Sequence, residues 1–328
     1  MANKIRTEED RKQLARKRLL SVLGTHTVAL MRTLENKISD AGPANQRIDP
    51  HVLTMVRNAL VESGDLVRVD RQGAPWYHRQ DADQAAVERR IAQLSAIHRQ
   101  FNSLSQRIGQ SLEIAIFRAL RAQSMVFFGN FPTLEEHDDS RLYSKLDELS
   151  AVGSRSLPGD MRLDFILMHP VAGTVGIEAK NIREWLYPDR DEIRELLLKC
   201  TAIDAVPVLV ARRIQFATFR LLSRCGVVLH EQFNQLVPST AQAIADQARH
   251  KALLGYHDIR LGNMPDARLL KFIQVNLPAA LPDARLRFDR YYDLLRDYGT
   301  GAIGYAEFAA RVRRRHHGTN EDSDFSPD

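Results

Sequence analysis

The chain has 328 residues, of which 44% are hydrophobic and 27% charged, with a net charge of +5 and two cysteines. That balance belongs to a globular chain with room for one large domain or two ordinary ones. It excludes a disulfide scaffold or cysteine metal site, and with no apolar run near ~18 residues and no leader it leads us to expect a cytoplasmic protein with no membrane partner.

Residues 1–80 carry fourteen Lys or Arg against nine Asp or Glu, so the whole positive excess lies there. Such a basic module suits a polyanionic partner, and a solvated helix face accounts for the same balance. "EEDRKQLARKRLLSVLG" reads as a basic helix ending near Gly24. "HTVALMRTLENKISDAG" reads as a second, with Val28, Met31, Leu34 and Ile38 at helical spacing. "DPHVLTMVRNALVESGDL" reads as a third, with Asp49 as N-cap and Pro50 at the first helical position. "LVRVDRQGAPWYHR" then reads as two short strands around an Arg-Gln-Gly-Ala turn.

Three helices followed by a hairpin resemble a winged-helix domain. The resemblance implies DNA contact through the third helix (His51, Thr54, Arg57, Asn58) and through the wing (Arg68, Arg71, Arg79).

Residues 81–97 form a polar helical connector, and "LSQRIGQSLEIAIFRALRAQ" continues as an apolar, buried helix. From there the segments alternate. "SMVFFGNF" is a strand, and a polar stretch to about 160 is mostly loop. "MRLDFILMHP" and "GTVGIEAKN" form a hairpin. "DRDEIRELLLKCTAI" is a helix, "AVPVLVARR" a strand, "FATFRLLSRC" a helix and "GVVLHEQ" a strand. Residues 98–238 thus read as an α/β domain with a mixed sheet flanked by helices. Residues 239–310 read as a helical C-terminal region and 311–328 as a disordered tail.

The hairpin turn, "HPVAGT", is centred near Val171, so paired positions sum to about 342 and residue 164 faces residue 178. Arg162, Asp164, Ile166, Gly176, Glu178 and Lys180 then share one side. Leu163, Phe165, Leu167, Ile177 and Ala179 share the other, an apolar core face. Two carboxylates set opposite each other need a proton or a cation between them. Mg²⁺, a hard ion that takes oxygen ligands, answers that need, with Mn²⁺ as a substitute and the Ala179 carbonyl as a further ligand. Lys180 would orient a water or offset developing negative charge. Asp164 and Glu178 are otherwise ion-pair partners of Arg162 and Lys180 on a solvated sheet face.

Asp164, a 13-residue gap and Glu178-Ala179-Lys180 resemble the core of the PD-(D/E)xK nuclease superfamily. The resemblance implies an α-β-β-β-α-β core over about 98–214, a restriction-endonuclease-like fold. It also implies catalysis by Asp164, Glu178 and Lys180, and a metal-directed glutamate on the first core helix, which Glu113 matches. The family's proline is missing before Asp164, where Leu163 stands, and "PGD" at 158–160 falls before the strand. Arg212 and Arg213 close the fourth strand in reach of a DNA backbone. Asn181, Arg194 and Lys199 are either phosphate contacts or surface residues.

The function these features imply is Mg²⁺-dependent endonucleolytic hydrolysis of DNA, in defence against foreign DNA or in DNA processing. The alternative is a non-cleaving DNA-binding regulator or scaffold. A homodimer fits the family, and with no P-loop in the chain any ATPase would be a separate subunit.

Overall fold

A computed structural model describes residues 7–40, 47–71, 73–123, 125–136 and 138–319. By contact the chain divides into two units, residues 1–105 with 241–259, and residues 106–240 with 260–328. The division follows space more than chain order, because part of the expected C-terminal helical region belongs with the first unit. Gln72 of the expected wing turn, residues 41–46 and the end of the expected tail lie outside the described residues.

The first unit runs α1 (Glu8–His26), β1 (Val28–Leu30), α2 (Met31–Ile38), α3 (Pro50–Glu62), β2 (Leu66–Arg71), β3 (Ala74–Arg79) and α4 (Gln84–Asn102). Thr7 and Asp10 form a capping box at the start of α1. Asp49 caps α3 by accepting from His51 N at 2.8 Å, with Pro50 at the first helical position as expected.

One expectation fails here. The helix read from His26 begins only at Met31, because Val28–Leu30 pairs antiparallel with His78–Trp76 as an edge strand. Val28, Ala29 and Leu30 are all buried, and an all-apolar triplet satisfies a strand as readily as a helix. The resulting sheet has the order β1-β3-β2. Its core joins Leu19, Leu23, Leu34, Ile38, Leu53, Leu60, Leu66 and Tyr77. α8 (Gln242–Arg249) packs on α4 in this unit.

The second unit opens with α5 (Ser105–Leu120) and β4 (Val126–Phe128). The polar stretch that follows holds a 3₁₀ turn (Leu134–Glu136) and a small ribbon, β5 (Ala151–Val152) with β6 (Arg155–Ser156). Then come β7 (Phe165–His169), β8 (Gly173–Lys180), α6 (Asp191–Ala202), β9 (Val206–Ala211), α7 (Phe216–Arg224) and β10 (Val228–Glu231). These strands form one mixed sheet, β10-β9-β8-β7-β4. β4, β7 and β8 are antiparallel neighbours, and β8, β9 and β10 run parallel.

The register of the central hairpin is the expected one. Phe165 pairs with Ile177, Ile166 with Gly176 and Leu167 with Val175. The expected division into one core face and one polar face does not hold. Phe165, Leu167, Val175 and Ile177 pack against α5 and the helical turns near 269–284. On the other face Ile166, Leu209 and Ala211 pack against α6 and α10 (Leu277–Gly299). A sheet with parallel central strands is covered on both faces, so its polar side chains are buried too.

α9 (Ala267–Lys271) leads through a π-helical turn, Phe272–Asn276, into α10. α11 (Tyr305–His317) carries the chain to Gly318, so residues 311–317, expected in a disordered tail, are helical. Phe308 and Val312 anchor this helix in the core, and Arg315 pairs with Asp293 at 2.5 Å. Among the described residues no helix is long and apolar enough to cross a membrane.

Candidate functional site

The hairpin brings the expected acids to one end of the sheet. Asp164 lies one residue before β7, where the register continues opposite Glu178 on β8. A tight fit holds Asp164 there. A Cβ at Gly129, whose φ is +99°, would meet the Asp164 carbonyl oxygen at 2.6 Å and the Phe165 ring at 2.9 Å. Asp164 Oδ2 accepts from the Ala179 backbone N–H at 2.7 Å, fixing the carboxylate against β8. Ala179, expected to offer its carbonyl, thus contributes its amide.

Glu178 is 4% exposed. Its Oε1 accepts from Lys180 Nζ at 2.8 Å and Lys199 Nζ at 2.9 Å. Its buried Oε2 has no hydrogen-bond partner among the described residues. Lys199 reaches this carboxylate because α6 lies flat on the sheet: a Cβ at Gly176 would meet Leu163 Cδ1 at 2.7 Å and Cys200 Sγ at 2.8 Å. Burial pushes the Glu178 carboxyl up, Asp164 pushes it further, and Lys180 and Lys199 oppose both. Lys180 itself loses by burial but is held above its ordinary value by Glu178.

Glu113, on α5, points at the same end. Lys145 Nζ donates to Glu113 Oε2 at 2.8 Å and to Asp164 Oδ1 at 3.3 Å. It also pairs with Glu148 at 3.2 Å. Burial, then Asp164, pushes the Glu113 carboxyl up to about 7. The site therefore combines four carboxylates (Glu113, Glu148, Asp164, Glu178) with three ammonium groups (Lys145, Lys180, Lys199).

Lys199, weighed as a phosphate contact or surface residue, is neither, since it is buried against Glu178. A charge among Leu196, Leu197 and Cys200 was the signal that could have placed it. Lys145 and Glu148 have no such signal, because they lie in a polar stretch without period. Asn181 is buried, with its side-chain amide donating to the Ile108 and Leu236 carbonyls. Arg194 lies over the Tyr298 ring at 5.1 Å, and Asp160 is exposed.

Arg212 and Arg213, expected at the surface in reach of a DNA backbone, are both buried. Arg212 is 1% exposed and donates to the Ile182 and Arg183 carbonyls. Arg213 is buried with its guanidinium over the Phe233 ring at 4.7 Å and the Trp185 ring at 5.8 Å. Buried guanidinium groups held against carbonyls and rings in this way brace the chain after β9, where an exposed position within reach of a DNA backbone was expected. In the first unit Arg57 is also turned inward, over the Tyr77 ring at 4.9 Å. His51 and Asn58 are exposed and Thr54 half-buried on α3. Arg68, Arg71 and Arg79 are accessible but pair with Asp70, Glu88 and Asp81. Exposed pairs of this kind are weak enough to exchange for phosphate.

The residues present fit a hard divalent ion in donor type. They supply carboxylate oxygens, and one of these, Glu178 Oε2, is buried and unpartnered. They are not a ready-made cage: among the described residues no group of three or more His, Cys, Asp or Glu side chains is placed to hold a metal. Compared with known families, with curated proteins and with solved structures, the chain matches none.

Proposed function

We propose that the chain is a Mg²⁺-dependent deoxyribonuclease with a restriction-endonuclease-like catalytic unit and a winged-helix-like DNA-binding unit. The observation that carries this reading is the meeting of Asp164 and Glu178 across the β7–β8 turn, with Lys180 beside them and Glu178 Oε2 unpartnered. The order α5-β4-β7-β8-α6-β9 supports the first assignment, and α1-β1-α2-α3-β2-β3 with sheet order β1-β3-β2 supports the second.

Asp164 and Glu178 would hold the ion, and Glu113 would lie near it. Bound there, Mg²⁺ supplies Lewis acidity toward a phosphodiester. Lys180 keeps its charge and stands ready to offset negative charge growing on the phosphorus oxygens. The Ala179 amide holds Asp164 still, and Lys199 opposes the upward push that burial gives the Glu178 carboxyl. Exposed residues of α3 and the wing arginines would hold the duplex. Supercoiled plasmid should be cut in Mg²⁺ or Mn²⁺ and spared in EDTA, whereas cutting that persists in EDTA overturns the metal assignment.

A second reading, a DNA-binding scaffold that does not cut, draws on one observation. Lys145, Lys180 and Lys199 already neutralise most of the carboxylate charge. Calorimetric titration with Mn²⁺ separates the two, because a scaffold shows no binding that depends on Glu178.

A further inference from the structure

We propose that the carboxyl end of the second unit's sheet, beyond Glu178 and Lys180, carries a stacking platform for unpaired bases, built on Trp185 and Phe216. The DNA taken by this site then has a single-stranded stretch beside the point of cleavage. The nature of the ligand rests on the nuclease reading above, and the platform names the substrate class of that same site. Lys180, Ala211 and Glu231 stand level at the ends of β8, β9 and β10, which run parallel. The segments leaving these strands emerge side by side, roughly 5 Å apart per strand, at the end where an open α/β sheet binds its ligands. Each delivers one planar group to a single stack. Trp185 follows β8, Arg213 follows β9 and Phe233 follows β10. The Arg213 guanidinium lies over the Trp185 ring at 5.8 Å and the Phe233 ring at 4.7 Å, and Arg268 of α9 lies over Phe233 at 4.0 Å.

The backbone holds the stack in place. The Leu186 N–H donates to the Arg213 carbonyl at 3.1 Å, and the Leu186 carbonyl accepts from Gln215 N at 3.0 Å. Trp185 and Phe216 therefore flank one bridge between the two segments. Phe233 sits at φ +65°, a left-handed conformation that strains a bulky residue, and its N–H donates to the Arg212 carbonyl at 3.1 Å. Such strain persists only where the surrounding contacts over-determine it. Beside this braced stack, rings reach solvent. Trp185 is half-buried, and Phe216, the first residue of α7, is 71% exposed. Phe219 and Arg220, three and four residues on, share its helix face and are exposed too. α7 holds two arginines and no acid, and Arg268 is exposed. Rings interleaved with guanidinium groups suit a strand that offers a π-face on every base and a negative charge on every phosphate. A base within a duplex has both faces covered by its neighbours, so an unpaired base is the occupant these rings select.

The chain has two tryptophans, and Trp76 is fully buried in the first unit. Trp76→Phe in the full chain thus leaves Trp185 as the only indole reporter; where that variant does not fold, the difference between wild type and Trp185→Phe isolates the same signal. The probes are a hairpin duplex with a single-stranded oligothymidine tail and the same hairpin blunt, titrated in EDTA. The tailed DNA should quench Trp185 emission and the blunt DNA should not. Trp185→Ala should weaken binding of the tailed DNA about tenfold, and Trp185→Phe, which keeps a ring, should restore most of it. Phe216→Ala, at an exposed position, should show a similar loss and serves where Trp185→Ala does not fold. Quenching by neither DNA, equal quenching by both, or alanine variants that bind the tailed DNA as wild type does would overturn the inference. A surface made for a protein partner gives the first of these results. Quenching without Mg²⁺-dependent cutting of any DNA would leave the platform standing and overturn the nuclease reading, and cutting without quenching would do the reverse.

Discussion

Glu178 carries the site's sharpest conflict. Its carboxylate sits in a place that water scarcely reaches, where burial and Asp164 push its pKa up and Lys180 and Lys199 oppose the rise. Removing one partner of a buried charge leaves the other under-compensated, which costs more than the pair's net worth. Lys199→Met should therefore lower stability by about 2 kcal/mol, since Lys180 remains to share the load. Urea denaturation checks this, and an unchanged midpoint would show that the Lys199–Glu178 contact does not exist in solution.

His230 offers a pH test away from the acids. Its ring stacks on Phe272 with centroids 4.3 Å apart. Burial first, then the Arg268 charge, lowers its pKa from 6.5 to about 4. A histidine depressed in the folded state contributes stability that is present above its unfolded pKa. That contribution is lost as pH falls through the folded value, here between 6.5 and about 4. The loss should amount to about 3 kcal/mol at most. His230→Phe keeps the stack and removes the titration, so its stability should stay flatter across that window. Parallel profiles for the two proteins would contradict the assignment.

At the level of elements, the wing is the clearest test of DNA contact. Arg68 and Arg71 are exposed on β2; Arg68 pairs with Asp70, and Arg71 pairs with Glu88 and donates to the Asp70 carbonyl. If they reach phosphate, Arg68→Ala and Arg71→Ala should each weaken duplex binding irrespective of sequence. Each should also reduce the salt slope by about one. Fluorescence anisotropy across a salt series reads both, and an unaltered slope would remove the wing from the interface.

The hairpin was legible in the sequence because a short turn leaves few registers, and a slip by one would have turned Phe165 and Ile177 to the face that carries Glu178. Asp49 and Pro50 were legible for a similar local reason, since an N-cap and a first-turn proline declare themselves. β1 was not, because its pairing with β3 is decided by residues about fifty positions away. Arg57 and Arg212 read as surface charges from their chemistry, and nothing local says that an aromatic ring or a row of carbonyls will take them in.

For the molecule as a whole, the order and register of the second unit's elements were readable, and so was the meeting of its two central acids. The cations that balance them were only partly so. Lys180 adjoins Glu178 in sequence, Lys199 betrays itself on an apolar helix face, and Lys145 arrives on a strap whose path is set by Asp139, Ser239 and Asn263. Charge balance in a buried site is a tertiary property, assembled from segments that carry no mark of it individually.

The most direct test compares wild type with Glu178→Gln, near-identical in shape and different by one charge, in Mg²⁺-dependent plasmid cleavage and in duplex binding side by side. Cleavage is expected in the wild type and lost in the variant, with duplex binding unchanged between the two. Cleavage by the variant at the wild-type rate would contradict it.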